Sequence, residues 1–163
     1  MVRLVAYDPQ WKRLFGLEKA CLQEVLGLTI LDIQHMGSTS IPGMLAKPII
    51  DIAIAIADFE EGRVCIPLIE ELGNEYKGEF GNPLRHYFVK GDPRTFHVHM
   101  SEITSLEWQN TLLFRDYLIQ HTDIAREYAK LKTRLALMYP LDRTAYLEGK
   151  TKFVQRVIQL ART

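Results

Sequence analysis

The sequence of 163 residues predicts one α+β domain over residues 1–163, with a mixed or antiparallel sheet flanked by helices and a helical final third. Three observations lead to this class. An apolar repeat at helical spacing lies near the amino terminus, β-branched stretches of strand length occupy the middle, and further helical repeats follow residue 104. The chain contains neither an internal repeat nor a linker-like segment that would divide it.

The first helix is predicted from Asp8 and Pro9, because aspartate caps helices and proline is favoured in the first helical turn. Gly27 is expected to end this helix. Its apolar face is formed by Trp11, Phe15, Leu22 and Leu26. A strand is predicted over residues 29–35. The unbroken, β-branched run over residues 49–56 predicts the central strand of the sheet.

The middle of the chain is expected to alternate between short elements. Residues 59–72 predict a helix that ends at Gly73, and Pro67 implies a kink or a later start. Three short strands are predicted next, and a Gly91-Asp92-Pro93 turn joins the last two. These strands cover residues 76–80, 85–90 and 95–101.

Three helices are predicted in the final third. Thr104 and Glu107 have the spacing of a capping box for the first of them. Asp123 is expected to cap the second, which should end before Pro140. The third carries the apolar residues Phe153, Val157 and Leu160. The apolar stripes of these helices are interpreted as core positions.

The charge balance argues against a polyanionic partner. Lysine and arginine total 20, as do aspartate and glutamate, so a nucleic-acid partner is not expected. No apolar run approaches the roughly 20 residues that a bilayer requires, so no membrane association is expected. The amino-terminal residues lack the apolar core of a signal peptide, and only two cysteines occur. A cytoplasmic location is the prediction.

A carboxylate inside the central strand is the first candidate site residue. Side chains alternate along a strand, so Asp51 shares one face with the small residues Ala53 and Ala55. A buried carboxylate without a partner is costly, so Asp51 must meet a cation, a metal ion or hydrogen-bond donors. A structural pair with Lys47 or an arginine would also satisfy it.

Two further segments carry candidate ligand groups. The run Gly37, Ser38, Thr39 and Ser40 offers hydroxyls and backbone N–H groups that suit phosphate, although the lysine of a Walker loop is missing. His97 and His99 are expected to point together from one face of a strand, with Arg85 in the same region. Histidine and arginine suit an anionic ligand, whereas Asp51 with two histidines suits a metal ion.

The chain resembles the GrpB family, which also occurs as the carboxy-terminal domain of some dephospho-CoA kinases. The resemblance covers nearly the whole chain. It depends on the segments YDPQW, HMGSTSIPGMLAKPIIDI, RTFHVHM, LLFRDYL and YAKLK, and on the closing segment with Tyr146 and Lys150.

This resemblance implies a nucleotidyltransferase-like fold. In that superfamily, a Gly-Ser turn is followed after about a dozen residues by two carboxylates on a strand, which with a third hold two Mg²⁺ ions. By position, Gly37 and Ser38 match the turn and Asp51 matches the first carboxylate. Ala53 stands at the second carboxylate position, and His97 and His99 replace the third. One aspartate with two histidines suits a softer divalent ion than Mg²⁺.

The resulting hypothesis is a protein that binds a nucleotide or another phosphorylated small molecule, with weak or divergent transferase activity. Asp51, His97 and His99 are the candidate catalytic residues and the candidate ligands of a divalent metal ion. The candidate ligand-binding residues are Gly37, Ser38, Thr39, Ser40, Lys47 and Arg85. The alternative is a non-catalytic interaction or chaperone-like module, as the fusion to dephospho-CoA kinase suggests.

Overall fold

A five-stranded mixed sheet forms the centre of the computed structural model, which describes residues Met1–Thr163. Its spatial order is β1-β2-β5-β4-β3. The predicted α+β class is confirmed. The strands are β1 Asp32–Met36, β2 Ile50–Ile56, β3 Asn74–Tyr76, β4 Arg85–Lys90 and β5 Phe96–Glu102.

Strand β2 lies inside the sheet, as its continuous apolar sequence predicts. It pairs antiparallel with β1 and parallel with β5. Strand β4 pairs antiparallel with both β5 and β3. The parallel pairing places Asp51 of β2 opposite His97 of β5 and Ala53 opposite His99, so the candidate residues of the two strands meet in register.

Five α-helices flank the sheet, and the last three form the helical final third that the sequence predicts. None of them combines the length and the apolar character needed to cross a membrane. The helices are α1 Gln10–Leu26, α2 Ile66–Glu71, α3 Leu106–Gln120, α4 Thr122–Met138 and α5 Arg143–Arg162. Short 3₁₀ turns cover Gly27–Thr29, Ser38–Ser40 and Glu61–Cys65.

The two faces of the sheet are covered differently. Ile50, Ile52, Ile54 and Ile56 join the largest apolar cluster together with residues of α1 and α2. On the other face, Trp108 of α3 packs over Ala53 and Ala55. The face shared by Asp51, Ala53 and Ala55 is therefore covered by the Trp108 indole at the two alanines, and the polar site lies at the Asp51 end.

Two predicted strands have different bounds in the structure. The strand predicted over residues 76–80 is instead Asn74–Tyr76, because positive φ angles at Gly78 and Phe80 turn the chain away from the sheet. The strand predicted from residue 29 begins at Asp32, since Gly27–Thr29 form a 3₁₀ turn. The later start allowed by Pro67 is confirmed by α2, which begins at Ile66.

Of the three predicted helix caps, the one at Asp8 is confirmed, and those at Thr104 and Asp123 are wrong. Asp8 accepts a hydrogen bond from the N–H of Gln10 at 2.9 Å, as predicted. The predicted capping box of Thr104 and Glu107 is wrong by one residue, because Ser105 accepts from the N–H of Trp108. Asp123 lies inside the first turn of α4 and makes no capping hydrogen bond.

We predict that Ile52→Ala lowers the free energy of unfolding by about 2–5 kcal/mol, because the Ile52 side chain is fully buried between the sheet and the α1–α2 layer. Leu28→Ala is the control, since Leu28 is fully exposed and its loss should change stability by less than about 0.5 kcal/mol. Urea denaturation measures both. Equal losses in the two variants would contradict the interior position of β2.

Candidate functional site

Asp51 and the two histidines converge at one end of the β2–β5 pair. Alternation along β5 turns Phe96, Val98 and Met100 toward the core and His97 and His99 toward Asp51. The Nε2 atom of His99 lies 3.0 Å from Oδ1 of Asp51, and Nδ1 of His97 lies 3.6 Å from the same oxygen. The predicted pairing of the two histidines on one face is confirmed.

Arg85 extends this cluster into a hydrogen-bonded chain. Its guanidinium is buried, and Nη1 lies 3.2 Å from Nδ1 of His99. Arginine only donates hydrogen bonds, so Nδ1 of His99 is the acceptor and the ring proton is on Nε2, facing Asp51. The order of donation is therefore Arg85 to His99 to Asp51. The partner of Asp51 is a histidine oriented by an arginine, and not Lys47.

The Asp51 carboxylate is held in its ionised form. Burial acts to raise its pKa, but hydrogen bonds from His97 and His99 outweigh burial and hold the pKa well below its usual range. The second oxygen, Oδ2, lies against the backbone of Gly37. A Cβ atom at Gly37 would be 2.6 Å from Oδ2, and the φ of 73° at this residue also favours glycine. Gly37 therefore lets the turn approach the carboxylate.

The hydroxyls of the Gly37–Ser40 turn each have a partner within the protein. Ser38 Oγ accepts from Nζ of Lys132 at 2.8 Å, and Ser40 Oγ donates to the carbonyl of Gly37. Thr39 Oγ1 lies 2.9 Å from Nε2 of His35, whose pKa burial lowers to about 4. The turn is thus tied both to the sheet and to α4.

A cavity of about 610 Å³ lies beside this cluster, within the usual range for small-molecule sites. Of the candidate ligand-binding residues, Ser38, Thr39, Lys47 and Arg85 line it, whereas Gly37 and Ser40 do not. Helices α4 and α5 close the other side of the cavity. They contribute Lys132, Arg143, Tyr146 and Lys150.

Four of the basic residues that line the cavity have no acidic side chain within 4 Å, namely Lys47, Lys132, Arg143 and Lys150, whereas Arg85 lies 3.9 Å from Glu107. Burial, together with the charges of Lys150 and Lys47, lowers the pKa of Lys132 to about 7. Burial likewise lowers the pKa of Lys150 to about 8, assisted by Lys47 and Arg143 and opposed by Asp51. Lys47 and Lys150 lie 4.8 Å and 4.7 Å from the Tyr146 ring, so the aromatic face partly offsets their charge.

Sequence reasoning missed Lys132, Arg143 and Lys150 as site residues. Lys132 lies in the YAKLK segment and Lys150 in the closing segment, yet both read as ordinary polar positions of helices. The apolar repeat of α4 contained the one available signal. Lys132 lies four residues after Tyr128 and three before Leu135 and is 1% exposed, so a lysine shares the buried side of that helix.

The donor atoms of the cluster suit one softer divalent ion better than a pair of Mg²⁺ ions. One ligand atom from each of Asp51, His97 and His99 lies within 4.8 Å of the others, a set that suits a softer divalent ion. A pair of Mg²⁺ ions does not fit, because Ala53 supplies no carboxylate and packs against Trp108. A metal ion bound to Nε2 of His99 would also shift the ring proton to Nδ1. Nδ1 could then no longer accept the hydrogen bond from Arg85.

The fold and site define an α+β protein with a basic cavity next to a carboxylate–histidine cluster on a mixed sheet. The chain belongs to the GrpB family, whose model, described as GrpB protein, matches residues 1–160. The crystal structure of the conserved protein GrpB from Enterococcus faecalis superposes with a TM-score of 0.91 and 35% identity. That match covers 98% of this chain and 96% of the other.

Curated relatives include proteins of similar length and longer ones. The glutamate-rich protein GrpB of Alkalihalophilus pseudofirmus is 33% identical over 96% of this chain and 94% of its own. The UPF0157 protein YqkA of Bacillus subtilis is 42% identical over 94% of this chain, which spans only 45% of that protein. A dephospho-CoA kinase of Mycolicibacterium paratuberculosis is 27% identical over 91% of this chain and 43% of its own length.

We predict that Zn²⁺ or Mn²⁺ binds this protein more tightly than Mg²⁺, because imidazole nitrogens outnumber carboxylates among the three candidate ligands. Asp51→Ala should abolish binding of the softer ions. The exposed Asp123 provides the control, and Asp123→Ala should leave binding unchanged. Calorimetry that detects no ion, or equal binding by the Asp51→Ala protein, would remove the metal site.

We predict that stability rises with pH between about 7 and 9 because of Lys132. Its pKa is about 7 in the folded protein, against roughly 10.4 for an unperturbed lysine, so the unfolded chain binds more protons across this interval. Lys132→Met should reduce the rise in the free energy of unfolding, while Lys150, with a folded pKa of about 8, still contributes to the rise above pH 8. Lys130→Met, at an exposed position of the same helix, should retain it. Urea denaturation at pH 7, 8 and 9 provides the measurement, and identical slopes in all three proteins would refute the assignment.

Proposed function

We propose that the cavity binds a nucleotide or another phosphorylated small molecule through its basic side chains. The observation that carries this proposal is the charge of the cavity lining. Asp51 is the single carboxylate among the lining residues. Five basic side chains line the same cavity, those of Lys47, Arg85, Lys132, Arg143 and Lys150.

The lowered pKa values of Lys132 and Lys150 support an anionic ligand. Burial and mutual repulsion disfavour their charged forms in the free protein. A phosphate group placed among them would favour the charged forms and raise both pKa values. Binding near pH 7–8 should therefore take up protons, and affinity should fall as pH rises beyond the pKa of Lys150.

The Gly37–Ser40 turn acts in this proposal mainly by positioning Lys132. The Ser38 hydroxyl and the carbonyl of Leu45 accept from its Nζ at 2.8 Å and 2.5 Å, so the ammonium group is held between the turn and the cavity. A charged donor held in this way contributes more to phosphate binding than a mobile surface lysine, because less rotamer entropy is lost. Ser38→Ala should weaken binding for this reason.

Nucleotidyl transfer is expected to be absent or very slow. Two-metal transfer depends on clustered carboxylates that hold Mg²⁺ around the reacting phosphate. Ala53 removes one of them. Any proton transfer in a divergent reaction is assigned in this proposal to the cluster of Asp51, His97 and His99. We also propose that the protein is cytoplasmic.

We predict that the protein binds ATP and inorganic pyrophosphate in the presence of EDTA, because its own basic groups supply the positive charge. Lys150→Met should weaken both affinities at least tenfold, the effect of losing one charge-assisted contact of about 1.4 kcal/mol or more. The matched control is Lys152→Met, an exposed position in the same helix, which should leave both affinities unchanged. Isothermal titration calorimetry measures all three proteins.

Two outcomes would contradict this proposal in different ways. Rapid Mg²⁺-dependent transfer from ATP by the pure protein would mean that the histidines replace the missing carboxylate. Failure to bind any small phosphorylated molecule, together with a stable complex with a protein partner, would favour the interaction-module alternative. The relation to a dephospho-CoA kinase makes that enzyme's kinase portion the first partner to test.

A further inference from the structure

An aromatic residue is held exposed at the edge of the basic cavity. Phe80 lines the cavity, and 59% of its surface is accessible to solvent. Its ring stacks against Tyr87 with the centroids 5.2 Å apart and the planes at 25°. Tyr87 is buried and also lines the cavity, so Phe80 extends an aromatic surface from β4 outward.

The backbone at Phe80 adopts an unfavourable conformation. Its φ is 50°, in the left-handed region that is unfavourable for a residue with a Cβ. A mobile surface loop would relax out of this conformation. The surrounding hydrogen bonds must therefore hold it there.

Arg85 supplies those hydrogen bonds. Its Nη2 donates to the carbonyls of Glu79 and Phe80, each at 3.2 Å, while its Nη1 bonds to His99. The Glu79 carboxylate closes the loop by accepting from the N–H of Leu84. One buried guanidinium thus fixes Phe80 relative to the Asp51–His99 pair.

The two parts of the lining differ in chemistry. Strand β4 and its preceding loop contribute the rings of Phe80 and Tyr87, whereas α4 and α5 contribute Lys132, Arg143 and Lys150. A bare phosphate has no group that would use an aromatic surface, and a sugar phosphate offers only the C–H groups of its ring. A nucleotide has both a planar base and a phosphate chain, and bases stack on aromatic side chains.

We propose that the ligand is a nucleotide whose base stacks on Phe80 while its phosphates contact the basic residues of α4 and α5. This inference rests on the proposed phosphate-binding function and narrows its ligand to one class. Phe80 is then the residue that distinguishes nucleotides from other phosphorylated molecules. Stacking does not read the hydrogen-bonding edge of a base, so Phe80 alone would accept both purines and pyrimidines.

The test compares ATP with inorganic tripolyphosphate, which has the same phosphate chain and no base. Calorimetry in EDTA is carried out on the full chain, with the wild type and the variants Phe80→Ala, Phe80→Leu and Phe80→Trp. We expect Phe80→Ala and Phe80→Leu to weaken ATP binding about tenfold, a size typical of lost base stacking, and to leave tripolyphosphate binding unchanged. Phe80→Trp should retain ATP binding.

Leu84→Ala is the matched control, because Leu84 lies in the same loop, is 53% exposed and also has a positive φ, but does not line the cavity. Equal weakening of ATP and tripolyphosphate by Phe80→Leu would assign Phe80 a structural role and overturn the inference. Unchanged ATP binding in Phe80→Ala and Phe80→Leu would also overturn it. If wild-type protein binds tripolyphosphate as tightly as ATP, the base-stacking inference is wrong, but the proposed phosphate-binding function is retained. If it binds neither, both proposals fail.

Discussion

The ionised carboxylate of Asp51 inside the sheet is the constraint on which the rest of the site depends. The Asp51 side chain is 27% exposed, so its charge is only partly hydrated, and the neighbouring strand provides donors through His99 at 3.0 Å and His97 at 3.6 Å. His99 can donate to Asp51 only in one tautomer, and Arg85 selects that tautomer. Because the same guanidinium holds the Phe80 loop, the hydrogen bonds that begin at Asp51 on β2 connect β5, β4 and that loop.

The β2 strand and the pairing of the histidines were predictable because both depend on local alternation. A run of β-branched residues predicts a buried strand wherever it pairs, and His97 and His99 share a face in any strand. The sequence also narrowed the partners of Asp51 to a few chemical classes. It could not select His99 over Lys47, since that choice depends on the parallel register of β2 and β5.

The basic residues of α4 and α5 were not predictable in the same way. Helical periodicity indicates which side of a helix is buried, but it does not indicate what that side packs against. Lys132 contacts Ser38 across 94 positions of sequence, and nothing near either residue encodes the contact. The loop at Phe80 was mistaken for a strand for a related reason. Its positive φ angles are maintained by Arg85, a residue outside the loop.

The separation of Lys132 from Ser38 also bears on how the chain folds. Contacts between distant residues form slowly, because closing a long loop has an entropic cost before any packing offsets it. Asp51 and His99 are 48 positions apart, with α2, β3 and β4 between them, and the contact with Lys132 must span twice that distance. The Lys132 contact therefore has the larger closure cost until the sheet has brought the intervening segments together. A chain that lacked α4 and α5 would contain every residue of the Asp51 cluster but would lose Lys132, Arg143 and Lys150 from the cavity.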